Sequence, residues 1–177
     1  MRWRISVAAF IALVSFVCAP SAALAGSGTQ TFLLVMEQPN TGEAANGDVA
    51  AVIGEGEFSV HPKSVEAEGT FTHTDSAGNV LVTGSWTATR LLTYQSYGCG
   101  VVFGTPIPPD LCGGKVRMRV VLTPDGTDLQ IPAVLTVFCV IGDKRPTSVE
   151  EGIRLVVPGH VNFNEATGGE NVYIRIG

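Results

Sequence analysis

The strongest constraint on the fold is a long alternation of side-chain types between residues 79 and 97. From Val80 to Tyr94 the even-numbered positions are mostly apolar and include Trp86, whereas the odd-numbered positions are mostly threonine or serine. Successive side chains of a β-strand point to opposite faces of the sheet. A period of two over this length therefore predicts a strand with one face in a core and the other in water.

A partner strand is predicted directly before it, over residues 67–74, with a turn at residues 75–78. The turn sequence Asp-Ser-Ala-Gly suits a hairpin connection. The residues expected to face each other across this hairpin are His73 and Val80, Phe71 and Val82, and Gly69 and Gly84. Paired glycines in neighbouring strands predict a bend or the close approach of another segment.

The rest of the chain carries shorter strand patterns and no convincing helical periodicity. Strands are predicted over residues 30–36, 49–60, 67–74, 79–97, 115–123, 133–141, 153–157 and 172–176. Residues 38–48 are predicted to be a polar loop because they contain Pro, Asn and Gly close together. About eight mostly antiparallel strands predict an all-β fold, either a single antiparallel β-barrel or, as the second choice, a β-sandwich.

The first 25 residues have the pattern of a secretory signal peptide. Two arginines precede an apolar run over residues 5–17, and small side chains at positions 23 and 25 suit cleavage near Ala25. The run is too short to span a bilayer comfortably. The sequence thus predicts residues 1–25 as a signal peptide and residues 26–177 as a single secreted β domain, extracellular or periplasmic.

The predicted mature domain is acidic. Residues 26–177 hold nine basic and 16 acidic side chains, which gives a net charge of −7 at pH 7 with neutral histidine. A negative net charge without a basic block argues against binding to nucleic acid or to anionic lipid. No apolar stretch after the signal is long enough to span a membrane.

Three cysteines remain after cleavage, and an oxidising compartment favours closing one pair. Cys99 and Cys112 flank a Gly- and Pro-rich segment and are the predicted disulfide, which would stabilise the fold by roughly 3 kcal/mol on loop-entropy grounds. Cys139 lies in an apolar run and is predicted to be a buried free thiol. Pairings of Cys139 with Cys99 or with Cys112 remain open from the sequence.

Four side chains of the predicted hairpin form a candidate ligand-binding site, namely His73, Trp86, Arg90 and Tyr94. In a barrel they would line an interior pocket next to the core. An arginine on an apolar face must be paired or reach water. Arg90 therefore lines such a pocket, reaches solvent from the strand end, or pairs with a core carboxylate such as Glu57.

Residues 98–114 form the candidate interaction loop. This segment is rich in Gly and Pro, yet it carries apolar residues that include Val102, Phe103, Ile107 and Leu111. Apolar residues in a loop pinned by a disulfide either cover one end of the fold or contact a partner.

The sequence lacks recognisable catalytic and metal-binding patterns, so no catalytic residue, metal or cofactor is expected. The histidines His61, His73 and His160 show no metal-ligand spacing, and no nucleophile motif is present. Residues 152–164 are similar to the second motif of cupins, with Pro158 and His160 in comparable places. The first cupin motif, which supplies the other histidines and a glutamate, is missing.

Several segments resemble known groups of proteins. Residues 84–86, Gly-Ser-Trp, are similar to the Gly-x-Trp motif of lipocalins, and residues 54–58 resemble part of the barrel shared by dirigent proteins and allene oxide cyclases. Residues 69–80, 84–92, 97–98 and 151–155 together resemble a group of small exported bacterial β-domain proteins of unassigned activity. That resemblance implies a secreted β domain and no particular reaction.

The functional expectation is a secreted, non-catalytic β domain that binds a small molecule or a cell-surface partner. The alternative is a barrel enzyme or carrier for a small apolar molecule, similar to allene oxide cyclases or lipocalins. A cupin-like metalloenzyme ranks below both, because its first motif is missing.

Overall fold

The computed structural model describes residues 29–177 and shows an all-β fold. Eight antiparallel strands close into a barrel, and two short strands form a separate two-stranded sheet. The predicted barrel is thus confirmed over the predicted sandwich. The predicted signal peptide, residues 1–25, lies outside the described residues. Within residues 29–177, no helix is long and apolar enough to cross a membrane.

Five of the eight barrel strands are longer than the sequence patterns predict. The bounds of all ten strands are β1 Thr31–Ala44, β2 Val49–Ser59, β3 Ser64–Thr74, β4 Val80–Cys99, β5 Val101–Val102, β6 Thr105–Pro106, β7 Leu111–Pro124, β8 Ile131–Cys139, β9 Gly152–Val156 and β10 Phe163–Arg175. The barrel closes in the order β1-β10-β9-β8-β7-β4-β3-β2, and β5 and β6 form the separate sheet. The predicted loop at residues 38–48 is wrong for its first half, because β1 continues to Ala44 through several register shifts. Those shifts let the strand accommodate Pro39 and bury Asn40 completely.

The two ends of the barrel differ. At one end β10 stays paired with β1 on one side, and on its other side it pairs with the start of β7 and no longer with β9, through Tyr173 opposite Cys112 and Ile174 opposite Leu111. This crossing narrows the barrel at what we call the disulfide end, where the aromatic rings of Phe32, Phe58 and Tyr173 fill the interior. The other end, the pocket end, carries the β1–β2, β3–β4, β7–β8 and β9–β10 connections.

The middle of the barrel is built around Trp86. Gly54, Gly69 and Trp86 lie in one row across β2, β3 and β4. A Cβ atom on Gly54 would lie 2.5 Å from the indole, and one on Gly69 would lie 2.8 Å from its nitrogen. The indole N–H donates to the carbonyl of Ile53 at 3.1 Å. The two glycines are therefore needed because only their missing side chains leave room for the indole.

The predicted hairpin register is wrong by two residues. Phe71 faces Gly84 and Gly69 faces Trp86. One residue of this error lies in the turn, because Thr74 pairs with Val80 and the connection between them therefore spans five residues, 75–79, and not four. The other residue comes from a shift of the pairing between His73 and Thr74. This irregularity adds a residue on the β4 side close to the turn, which counting outwards from the turn cannot detect. The close approach predicted at Gly69 exists, but its partners are Gly54 and Trp86.

Candidate functional site

The pocket end contains an apolar cavity of about 170 Å³. Strand residues from all around the barrel line it, including Ala50, Phe71, Val82, Leu122, Leu155 and Phe163. Each of them points inwards by the alternation of its strand, so the barrel interior itself forms the walls. Val161 in the β9–β10 connection and Pro124 at the end of β7 complete the mouth.

The size of this cavity limits what it can hold. An apolar cavity of about 150 Å³ is large enough for benzene and stays free of water when it is empty. Pockets for drug-sized molecules are typically about 300–1,000 Å³. The cavity therefore fits one ring, a short alkyl chain, or the end of a longer molecule that extends through the mouth.

His73 is a polar side chain of the cavity wall whose ring is held by two neighbouring side chains. Its Nε2 atom lies 3.0 Å from Oδ2 of Asp48, which is itself buried at the end of the β1–β2 connection. The rings of His73 and Phe163 contact each other edge to face, with their centroids 5.1 Å apart. A carboxylate on one ring nitrogen and a phenyl ring on the side fix the orientation of this imidazole.

His160 is the second polar group at the mouth. It lies in the β9–β10 connection, is exposed to solvent, and lines the same cavity as His73. The resemblance of residues 152–164 to cupins predicts that His160 belongs to a metal-ligand motif. Among residues 29–177, however, no three His, Cys, Asp or Glu side chains lie close enough together to hold a metal ion. The cupin-like alternative therefore lacks a ligand set in this part of the chain.

The prediction that Arg90 lies on the apolar face is wrong. Arg90 lies on the outer surface of the barrel, at the strand position directly opposite Arg119. Both side chains are exposed. The register of β4 against β7 shifts between Ala88 and Arg90. After this shift the next side chain that points into the barrel is the odd-numbered Leu91, and Arg90 points outwards. The strict alternation counted from Val80 stops at this β-bulge.

The other two residues of the predicted site lie inside the barrel but outside the cavity. Trp86 is 1% exposed and packs in the middle of the barrel. Tyr94 lies at the disulfide end against Phe32 and Phe58, and its hydroxyl donates to the carbonyl of Gly113. Burial raises the pKa of Tyr94 to about 12. Of the four predicted residues, only His73 lines the cavity.

The disulfide prediction is confirmed. Cys99 and Cys112 are bonded, and Cys139 is a buried free cysteine. Burial raises the pKa of the Cys139 thiol to about 12. A thiol with such a pKa is protonated at neutral pH, so Cys139 is a poor nucleophile.

The loop between the two bonded cysteines projects from the disulfide end. Phe103 is 75% exposed and has a positive φ of 47°, whereas Val102, Ile107 and Leu111 are half-buried. The guanidinium of Arg145 lies 5.2 Å from the centre of the Phe103 ring. Three of the four residues of the predicted interaction loop are thus partly covered, and Phe103 alone is presented to solvent.

A buried polar cluster, which the sequence patterns did not reveal, joins β1, β8 and β10. The amide of Asn171 donates to the side chain of Asn40 and to the carbonyl of Phe138. The backbone N–H groups of Val140 and Asn171 each donate to a carboxylate oxygen of Glu151 at 2.8 Å. Burial raises the pKa of Glu151 to about 7. The cluster does not line the cavity, and its contacts hold strands together.

The chain matches no protein-family model, and no curated protein or solved structure is significantly similar to it. The resemblance to small exported bacterial proteins therefore stays a prediction. Function has to be inferred from the cavity and its polar groups.

Proposed function

We propose that this protein is a secreted, non-catalytic β domain that binds a small, largely apolar molecule in the cavity at the pocket end. The observation that supports this proposal is the contrast between the two halves of the barrel. Aromatic rings fill the disulfide end, whereas the pocket end keeps about 170 Å³ of space against apolar walls. Space of this kind, with few convergent polar groups, is typical of ligand sites.

The polar groups indicate which way the ligand faces. His73 and His160 line the cavity. Since Nε2 of His73 contacts Asp48, the Nδ1 atom of His73 and the ring nitrogens of His160 are the atoms that can exchange hydrogen bonds with a hydroxyl or carbonyl group. We infer a ligand with an apolar ring or chain inside and one polar group towards these histidines. A pure hydrocarbon would leave the histidines to bind water instead.

Blocking the mouth of the cavity tests this proposal. Val161→Trp places a large side chain at the mouth, where Val161 is half-buried. We expect the affinity for phenol, measured by isothermal titration calorimetry, to fall at least about tenfold, equivalent to 1.4 kcal/mol. Phenol serves as the probe because its ring suits the cavity volume and its hydroxyl suits the histidines.

The matched control is Val121→Trp, since Val121 is equally half-buried but lies in the wall of β7 away from the cavity. This variant should bind phenol as the unmodified protein does. Saturable binding that survives Val161→Trp unchanged, or no binding by the unmodified protein, would contradict the proposal.

The His73–Asp48 pair favours a second candidate, a barrel enzyme or carrier acting on the same kind of molecule. A histidine oriented by a carboxylate is the usual arrangement for moving a proton. Mass spectrometry of small molecules extracted from the exported protein and from its His73→Gln variant separates the two functions. An enzyme would carry different molecules in the two forms, its product in one and its substrate in the other, whereas a binding domain would carry the same molecule in both.

A further inference from the structure

Opposite charges are segregated on the outer surface of this barrel. Among residues 29–177, no lysine or arginine nitrogen lies within 4.0 Å of a carboxylate oxygen. Proteins usually intersperse the two signs over the surface. The separation here concentrates charge on two faces that point in different directions.

The acidic face is formed by β2 and β3. Glu55 lies directly opposite Glu68, and Glu57 lies directly opposite Glu66. All four side chains are exposed. Like charges at directly opposed positions destabilise a pair of strands. No cation of residues 29–177 compensates these four within ion-pair distance.

The basic face is formed by β4, β7, β8 and β9. It carries five of the nine basic residues of residues 29–177, namely Arg90, Lys115, Arg117, Arg119 and Arg154. Arg117 and Arg154 flank a shallow groove of about 470 Å³ together with Thr136 and Asn164. Glu150 and Glu165 line the next groove, beside Lys115 and Arg154, so the charge is least compensated around Arg90, Arg117 and Arg119.

The two faces share one spacing. Arg117 and Arg119 stand two residues apart on β7, as Glu55 and Glu57 do on β2, which is about 7 Å along a strand. Arg90 lies directly opposite Arg119, as Glu68 lies opposite Glu55. Neighbouring strands are about 4.8 Å apart in both cases. The spacings of these three cations therefore match those of the carboxylates in both directions of the sheet, and the position opposite Arg117 is occupied by Thr93.

Other partners fit the basic face less well. None of the exposed large apolar side chains of residues 29–177 lies on it, which disfavours insertion into a lipid surface. Phe138 is its aromatic residue, and that ring is buried under the guanidinium of Arg154, where it cannot stack on a nucleic-acid base. A surface of matching geometry and opposite charge exists on the same chain.

We propose that the basic face of one molecule docks on the acidic face of a second copy, head to tail. Because the two faces are different surfaces, the contact is heterologous, and each molecule can use both faces at once. Such contacts build rings when the rotation closes and open chains when it does not. Charge pairing at exposed surfaces makes the association depend on salt.

Sedimentation velocity over a range of protein concentrations tests the proposal. At about 10 mM salt, where screening extends over about 30 Å, the sedimentation coefficient should rise with protein concentration. At about 1 M salt, where that length is about 3 Å, the protein should sediment as a monomer. A monomer at both salt concentrations, with protein at millimolar concentration, would overturn the proposal.

Two variants test which surfaces meet. The acidic-face variant is Glu55→Gln with Glu68→Gln, and the basic-face variant is Arg117→Gln with Arg119→Gln. Each alone should lose association at low salt by at least about tenfold in its association constant. Mixed together, they should form dimers that do not grow further, because each variant retains the face that the other lacks.

The control for net charge is Asp110→Asn with Asp128→Asn. It changes the charge by the same amount as the acidic-face variant, but at two exposed positions outside both faces. This control should associate as the unmodified protein does. Association that persists in either face variant, or a mixture that stays monomeric while the unmodified protein associates, would rule out head-to-tail docking through these faces.

Discussion

Replacing Trp86 with alanine is expected to lower the free energy of unfolding by about 3–5 kcal/mol. The side chain is 1% exposed, lies over Gly54 and Gly69, and donates to the carbonyl of Ile53. The two glycines beneath the indole have no side chains that could rotate into the space it would leave. A domain of this size is stable by roughly 5–15 kcal/mol, so this variant should be close to unfolding at 37 °C.

Urea denaturation followed by circular dichroism measures this effect, since the variant lacks the only tryptophan of residues 26–177. The matched control is Trp86→Phe, which retains most of the buried apolar area and loses the hydrogen bond to Ile53. We expect it to cost less than half as much as the alanine variant. An alanine variant within about 1 kcal/mol of the unmodified protein would show that the barrel collapses around the missing indole.

The second large effect is a decline in stability as pH rises, caused by Glu151. Burial raises the pKa of this carboxyl from 4.5 to about 7 in the folded protein. Below pH 4.5 the carboxyl of Glu151 is protonated in both the folded and the unfolded chain. In this range the contribution of Glu151 to the free energy of unfolding is at its maximum. As pH rises from 4.5 through 7, the unfolded chain releases the proton more readily, so the free energy of unfolding falls by at most about 3 kcal/mol.

Glu151→Gln should flatten this decline, because glutamine does not titrate. Its amide can accept a hydrogen bond with only one of its two polar atoms, so the variant should also be less stable at every pH. Glu150→Gln changes the neighbouring, exposed carboxyl and should leave the decline in place. Denaturation curves at several pH values between 4 and 8 measure the slope. An equal slope in Glu151→Gln would assign the decline to other groups.

The sequence predicted the class of fold because strand alternation is a local property. The alternation from Val82 to Ala88 reports correctly which side chains face inwards, whereas Val80, which the same alternation places inwards, is 61% exposed. At Arg90 and Leu91 it fails, since a β-bulge places Arg90 outside and Leu91 inside, and a second register shift between Leu91 and Thr93 returns Tyr94 to the interior. A bulge depends on the partner strand, so no pattern within β4 itself could have indicated it.

The candidate site was harder to predict than the fold. His73 was identified because it stands on an apolar strand face, and that signal is local. Its partner Asp48 lies in a different connection, and the two meet only because β2 pairs with β3 so that Val49 faces Thr74. His160 reaches the cavity from the β9–β10 connection. Convergence of three chain segments at one barrel end is a property of topology, which a single sequence does not report.

The pairing of the first strand with the last has a consequence for how this chain reaches its native state. β1 needs β10 to close the barrel, and Phe32 lies opposite Arg175 near the far end of the chain. A chain that is synthesised or exported N-terminus first must therefore leave one edge of β1 unpaired until β10 is available. Folding dominated by such distant pairings typically takes milliseconds to seconds. Throughout that time the unpaired edge of β1 can pair with a wrong strand or with another chain. A chaperone that covers this edge would raise the yield of folded protein.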